Sequence, residues 1–320
     1  MMPLVSIASN PKKFRLKFGN YQPLTHPLNI RAKEMAAKIK AETGGLVEVQ
    51  IFPNSQLGSD TDMLSQLRAG SIDMMSLSPL TLGILVPMAQ ISGIGFAFKD
   101  YDAVWAAMDG QLGARVRQEI ASTTTIMAFE KIWDNGFRQI TTSNRPVHTP
   151  EDMKGLKMRV PPSSIWTSMF KALDASPTTI SLQEVYSALQ TKVVDGQENP
   201  MVLISASKLY EVQKYCSMSN HMWDGFWIMG NQAKFANLPD ELREIVIRNI
   251  NEAALKQRGD IQKVNNALVT ELAGKGLIFN QADRESFRAK LQSAGFYDSW
   301  HKQFGNEAWF LLEQYSGKVS

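Results

Sequence analysis

The 320-residue chain contains one cysteine, Cys216. No internal disulfide can form, and neither a CxxC redox pair nor a multi-cysteine zinc site is possible. The compartment stays open: the cytosol fits, and so does an oxidising space for a protein that needs no bridges. A membrane-length apolar run is also missing. The longest stretch, Leu82 to Phe98, is interrupted by Pro87, Gln90 and Ser92 and falls short of the ~20 residues a span requires. The N-terminal segment MMPLVSIASNPKKFRLKFGN has no apolar signal core. That fits a cytosolic chain or a mature one whose export signal has been removed. Charge of one sign is absent too. Lys+Arg 34 against Asp+Glu 31 leaves a net +3, too balanced for a dedicated nucleic-acid binder.

Catalytic signatures are equally scarce. The sequence has no GxxxxGK[ST] phosphate loop, no GxSxG elbow and no HExxH. Gly93-Ile94-Gly95 lacks the third glycine of a dinucleotide fingerprint. The four histidines (His26, His148, His221 and His301) stand at no metal-ligand spacing and read as surface or hydrogen-bonded structural residues. No nucleophile–base arrangement stands out. The expectation is therefore no catalytic residue, no metal and no cofactor.

What is present is an ordinary globular composition, 44% hydrophobic and 20% charged, at a length suited to about two domains of 100–200 residues. Phe14 to Phe18 alternates as a half-buried strand. Leu28, Ala32, Met35, Ala36 and Ile39 form one helical face, ended by Gly44-Gly45. Val47, Val49 and Ile51 alternate again. Ser59 to Ala69 is a helix whose Asp60 and Asp62 suit the positive end of its dipole, and Ile72 to Leu77 is a strand. One helix is expected over Tyr101–Ile120, and strands over Thr124–Phe129, Gly136–Thr142 and Lys157–Val160. Helices follow at Ser164–Leu173 and Leu182–Thr191, then a minimal strand at Val193-Val194. This alternation predicts an α/β fold with largely parallel sheets. From Asp240 to Ala273 helical period continues with no proline and only Gly259 as glycine. The stretch is either one rod of about 50 Å, long enough to touch two domains, or two pieces kinked at Gly259.

Two arginines sit in strand-like segments. Arg159 lies in Met158-Arg159-Val160 immediately before Pro161-Pro162, and Arg138 lies in Gly136-Phe137-Arg138-Gln139-Ile140. A strand-end arginine costs desolvation unless it meets an anion, and its planar fork can hold a carboxylate through two bonds. An internal salt bridge or a solvent-facing position explains the pattern as well. Trp133, Trp166, Trp223 and Trp227 fall near predicted element ends, where core packing is the ordinary role of the side chain.

Several ordered blocks resemble one family. Gln56-Leu57-Gly58, Met63 to Leu67 and Gly70-Ser71-Ile72-Asp73 come first. Asp152 to Pro161, Ala175 to Thr178, Glu184 to Gln190, Val194 to Pro200, Tyr210 to Lys214 and Asn220-His221 follow. From about Phe14 onward the chain is similar to DctP-type solute-binding proteins of tripartite ATP-independent periplasmic (TRAP) transporters. The resemblance implies an exported, periplasmic two-domain α/β protein of the periplasmic-binding-protein kind. A ligand cleft would lie between the domains, and the long helix, about 240–273, would span both. Domain I would comprise 14–136 plus about 225–260, and domain II 137–224 plus about 261–320. It further implies that Arg159 binds the carboxylate of a small organic acid, with Arg138 beside it and Asn199 adding a hydrogen bond. Tyr21, Ser78, Trp133, Trp223, Asp224 and Phe226 are candidate cleft-lining residues. Sialic-acid-binding members carry an acidic residue near Ser76-Leu77-Ser78-Pro79 and a small polar residue in place of Tyr21, so sialic acid is disfavoured here. A sugar acid, hydroxy acid, aromatic acid or C4-dicarboxylate is expected. The implied partner is a TRAP permease, the only route to the membrane, and no nucleic acid. An enzyme using the same cleft, or a sensory subunit, are the alternatives.

Overall fold

The computed structural model describes residues 12–319, so most of the N-terminal segment without a signal core lies outside the described residues. Strand β1 (Phe14–Gly19) buries Leu16 and Phe18 and exposes Arg15 and Lys17, as its alternation requires. Helix α1 (Pro27–Glu42) starts where His26 Nδ1 accepts from the Leu28 N–H at 3.1 Å. Strand β2 (Val47–Phe52) follows, then α2 (Asp60–Ala69), opened by a Ser59–Asp62 capping box and closed by Gly70 in the left-handed region. Next come β3 (Met74–Leu77), the short α3 (Pro79–Leu82), α4 (Tyr101–Met108), α5 (Gln111–Thr123) and β4 (Ile126–Ala128). The single helix expected over Tyr101–Ile120 is thus two. Gly110 is extended (φ −95°, ψ −152°), and a side chain there would stand 2.3 Å from the Ala106 carbonyl oxygen.

The chain continues through β5 (Trp133–Thr142), β6 (Lys157–Val160), α6 (Ser164–Ala172), β7 (Ser176–Thr179), α7 (Leu182–Gln190), β8 (Gly196–Pro200) and α8 (Met201–Ala206). Val193-Val194 is no strand: Lys192 turns the chain at φ 58°, and pairing begins at Gly196. Then come β9 (Tyr215–Met218), β10 (Trp223–Asn231), α9 (Gln232–Ala236), α10 (Asp240–Gly274), β11 (Ile278–Gln281), α11 (Arg284–Ser293), α12 (Phe296–Phe304) and α13 (Asn306–Ser316).

The strands run in the order β2-β1-β3-β10-β5-β8-β6-β7, with β4 beside β10 and β9 joining β5 to β11. The expectation of largely parallel sheets needs correction. β1, β2 and β3 pair in parallel, as do β6, β7 and β8, but β10 is antiparallel to β3, β4 and β5, and β5 is antiparallel to β8 and β9. The two long strands β5 and β10 link the parallel groups. Each pairs with one group along part of its length and with the other long strand along the rest. Their crossing carries a bulge between Asp224 and Gly225, opposite Asp134 and Gly136.

Helix α10 runs unbroken through Gly259. Val246, Ile250, Ala253 and Ala254 enter one apolar core with Leu16, Phe18 and Val49. Ile261, Leu268 and Leu272 enter another with Val185, Val202 and Cys216. Burial of each such Ile or Leu contributes roughly 1.5–3 kcal/mol, so both ends of the helix are fixed to different cores. Helix α13 packs on α4 and α5, which brings the end of the chain back to the first half.

Candidate functional site

A narrow cavity lies where the two parallel groups meet, lined by Tyr21, Asp60, Ser78, Asn135, Arg138, Arg159, Trp166, Asn199 and Asp224 among others. It is shut at the mouth. The Gln183 side chain of α7 donates to Ser55 Oγ on the other side. The Gln90 carboxamide oxygen accepts from Ser163 Oγ at 2.8 Å and the Ile165 N–H at 3.3 Å at the start of α6.

Arg138 projects from β5 into a dense network. Its Nε and Nη2 donate to both carboxylate oxygens of Glu198, Nη1 donates to Asp224 Oδ2 at 2.9 Å, and Nη2 also meets Asn199 Oδ1 at 2.9 Å. Its guanidinium carbon lies 4.7 Å from the centre of the Trp166 ring, a cation–π contact. Glu198 is held further by His221 Nε2 at 3.1 Å, and Asp224 by Ser78 Oγ at 2.6 Å and Asn135 Nδ2 at 2.9 Å. Burial alone would depress the Arg138 pKa, but Glu198 and Asp224 outweigh it and raise it. Burial would also raise the Glu198 pKa, but Arg138 and His221 hold it below the ordinary carboxylate value. Burial raises that of Asp224 despite Arg138 and lowers that of His221 despite Glu198.

Arg159 is placed differently. Met158 and Val160 enter the core, so alternation along β6 turns Arg159 to the other face, toward the cavity. Its Nε donates to the Ile180 carbonyl at 2.8 Å. Its Nη1 is buried with no partner, and no carboxylate among the described residues lies within ion-pair distance. Burial pushes its pKa down to about 10, with Glu198 opposing and Arg138 adding to the shift, so it remains a cation at neutral pH. A buried, protonated guanidinium with one nitrogen unpartnered and no counter-charge in contact is a costly arrangement that an anion relieves.

Acceptors face it from the other half. Asp60, the first residue of α2, is only 6% exposed, and burial raises its pKa. Asn135 Oδ1 is buried with no partner. Burial, then the charges of Asp224 and Asp60, hold the Tyr21 phenol well above its ordinary pKa, so it stays a neutral hydroxyl. The cavity therefore offers a free cationic donor on one wall and hydroxyl-binding acceptors on the other.

Of the expected site residues, Arg159, Arg138, Asn199, Tyr21, Ser78 and Asp224 meet at this cavity. Trp133, Trp223 and Phe226 do not line it. Trp133 and Phe226 pack into the core shared with Phe18 and Ile228, and Trp223 faces the other side of β10, donating Nε1 to Asp134 Oδ1 at 2.9 Å. Sequence reasoning missed Asp60, read only as a dipole partner, along with Asn135, Glu198 and Trp166. Asp60 carried a faint signal, an acidic residue beside the Gln56-Leu57-Gly58 block. Asn135 carried none. Among the described residues, no group of His, Cys, Asp and Glu is placed to hold a metal.

A closed, polar cavity between two sheet halves, with one buried cation lacking a counter-charge in its wall, is an architecture suited to holding a small molecule. The chain belongs to the DctP family of bacterial extracellular solute-binding proteins, family 7, whose sequence profile matches residues 18–302. It is 30% identical to the 2,3-diketo-L-gulonate-binding periplasmic protein YiaO of Escherichia coli, over 86% of this chain and 84% of that one. It is 33% identical to the sialic acid-binding periplasmic protein SiaP of Vibrio cholerae, over 82% of this chain and 81% of that one. Its fold matches the sugar acid binding protein DctPAm of Advenella mimigardefordensis in complex with galactonate. The TM-score is 0.91 at 26% identity, covering 97% of this chain and 99% of that one. The family and these relatives are solute-binding proteins rather than enzymes, and no helix among the described residues is long and apolar enough to cross a membrane.

Proposed function

We propose that this protein captures a small hydroxylated monocarboxylate, of the sugar-acid or hydroxy-acid class, outside the cytoplasm, closes around it and passes it to a TRAP permease without chemical change. The observation that carries the reading is Arg159, a buried guanidinium whose Nη1 has no partner inside a closed cavity. A ligand carboxylate supplies the missing counter-charge through charge-assisted bonds. Arg138 is bound to Glu198 and Asp224. Its part is to order Asn199 and the cavity wall and to add at most one further Nη1 hydrogen to the anion.

The opposite wall supports the hydroxylated class. Asp60, Asn135 Oδ1, Tyr21 and Ser78 can accept or exchange hydrogen bonds with hydroxyl groups, whereas the second carboxylate of a C4-dicarboxylate would meet the like charge of Asp60 once Arg159 is engaged by the first. The aromatic acid loses the support expected from Trp133, Trp223 and Phe226, since none of the three lines the cavity, and the Trp166 ring that does is covered by the Arg138 guanidinium. Export, with removal of a signal segment, follows from the same role. The test is mass spectrometry of small molecules released on denaturing freshly purified protein, followed by calorimetric titration with galactonate and succinate. The reading expects a hydroxylated acid among the released compounds and tighter binding of galactonate. Preference for succinate, or binding of neutral sugars alone, contradicts it.

A further inference from the structure

Behind the β5–β10 crossing lies a second crevice, of about 380 Å³, lined by Tyr101, Phe137, Gln139, Met201, Met218 and Val269 among others. Strand alternation sets its position. Arg138 faces the ligand cavity, so its neighbours Phe137 and Gln139 face the other side of β5. The crevice walls come from both halves. Tyr101 opens α4, which packs with α5 and, through it, β4, in the first half. Met201 and Met218 belong to α8 and β9, which pack on the second-half portion of β5, and Val269 to the α10 segment beside α8. The halves touch at the crevice floor. The Tyr101 and Phe137 rings meet edge to face at 5.2 Å. Gly136 (φ +116°) lies so close that a Cβ there would stand 3.3 Å from Asn265 Nδ2 and 3.5 Å from the Tyr101 hydroxyl.

Two cavities on opposite faces of one hinge strand, each walled by both halves, change volume in opposite senses when the halves rotate about that strand. We propose that the rear crevice sets the balance between open and closed forms: closing the ligand cavity opens the crevice, and opening the cavity collapses it. Bulk added to the crevice therefore obstructs opening and populates the closed form without touching the ligand. The inference rests on reading the protein as one that closes around its ligand. It extends that reading to the residues that set affinity from a distance, since apparent affinity scales with the fraction of molecules already competent to bind.

Val269 suits the test, being 37% exposed and outside the ligand cavity. Spin labels on Lys33→Cys in α1 and Gln190→Cys in α7 report the distance between halves, and the native Cys216 is buried and left unlabelled. In the absence of ligand, Val269→Trp is expected to raise the ratio of short-distance to long-distance molecules at least threefold, and Val269→Ala to leave it unchanged. Val269→Phe repeats the measurement should the tryptophan variant not fold. Galactonate titration of the same variants is expected to show a matching gain in affinity. Folded Trp and Phe variants with the wild-type distance distribution, or with a shift toward longer distances, overturn the proposal. A distance shift in a protein that binds no galactonate upholds the crevice mechanism and counts against the sugar-acid reading instead.

Discussion

Glu198 grips Arg138 through both carboxylate oxygens and has no direct bond to Arg159, so two arginines in one cavity hold different positions. One is a member of an ion network and the other has no ion-pair partner among the described residues. The difference gives each a separate experimental signature.

Removing the network's anion is expected to affect folding first. Glu198→Gln keeps the shape but leaves Arg138 with Asp224 as its only anionic partner and deprives His221 of its acceptor charge. Loss of one partner from a buried pair typically costs ~3–5 kcal/mol. Urea unfolding of this variant should show a stability loss of about 3 kcal/mol. A loss below about 1 kcal/mol, the range of an exposed pair, would show that the network is not the buried structure described.

Asp60 is expected to govern selectivity. Hydrogen bonds to a charged acceptor contribute ~1.5–3 kcal/mol, so Asp60→Asn should weaken galactonate binding by about tenfold to a hundredfold while easing entry of succinate. Titration of both acids against both proteins gives the ratio. An unchanged galactonate-to-succinate preference would remove Asp60 from the recognition surface.

Acid sensitivity follows from His26. Fully buried, it caps α1 with Nδ1 as acceptor, and burial lowers its pKa to about 3. An unfolded histidine takes up a proton near 6.5, so the depressed folded value stabilises the protein fully above that pH. The contribution declines as pH falls from about 6.5 toward 3, at up to ~1.4 kcal/mol per unit. His26→Asn retains a capping side chain and should flatten the fall in melting temperature between pH 6.5 and 5. Identical pH profiles for the two proteins would contradict this assignment.

Much of the frame could be read from the sequence because its signals are local. The Lys157–Val160 strand, the acidic first turn of α2 and the long α10 periodicity each depend on a few neighbouring residues. Arg159 was conspicuous for the same reason, a charged residue in an apolar strand ended by Pro161-Pro162. Asp60 was not, because an acidic residue in the first turn of a helix is common on exposed surfaces, and its burial depends on tertiary packing that local sequence does not show. The misplacement of Trp133, Trp223 and Phe226 has a different origin. Facing along β5 and β10 depends on the bulge at Asp224/Gly225, and a one-residue change of register exchanges the faces of a strand. The mixed strand directions escaped similarly, since β5 and β10 are paired by tertiary contacts across long stretches of chain.

The central claim is that Arg159 supplies the counter-charge for a ligand carboxylate, and calorimetric titration of wild type, Arg159→Ala and Arg159→Lys with galactonate tests it most directly. Loss of a buried counter-charge costs ~3–5 kcal/mol, and each 1.4 kcal/mol is about a factor of ten. The alanine variant should therefore bind at least a hundredfold more weakly, with lysine intermediate because it keeps the charge and loses the fork, while circular dichroism shows both folded. A folded Arg159→Ala protein that binds galactonate within threefold of wild type would contradict the account.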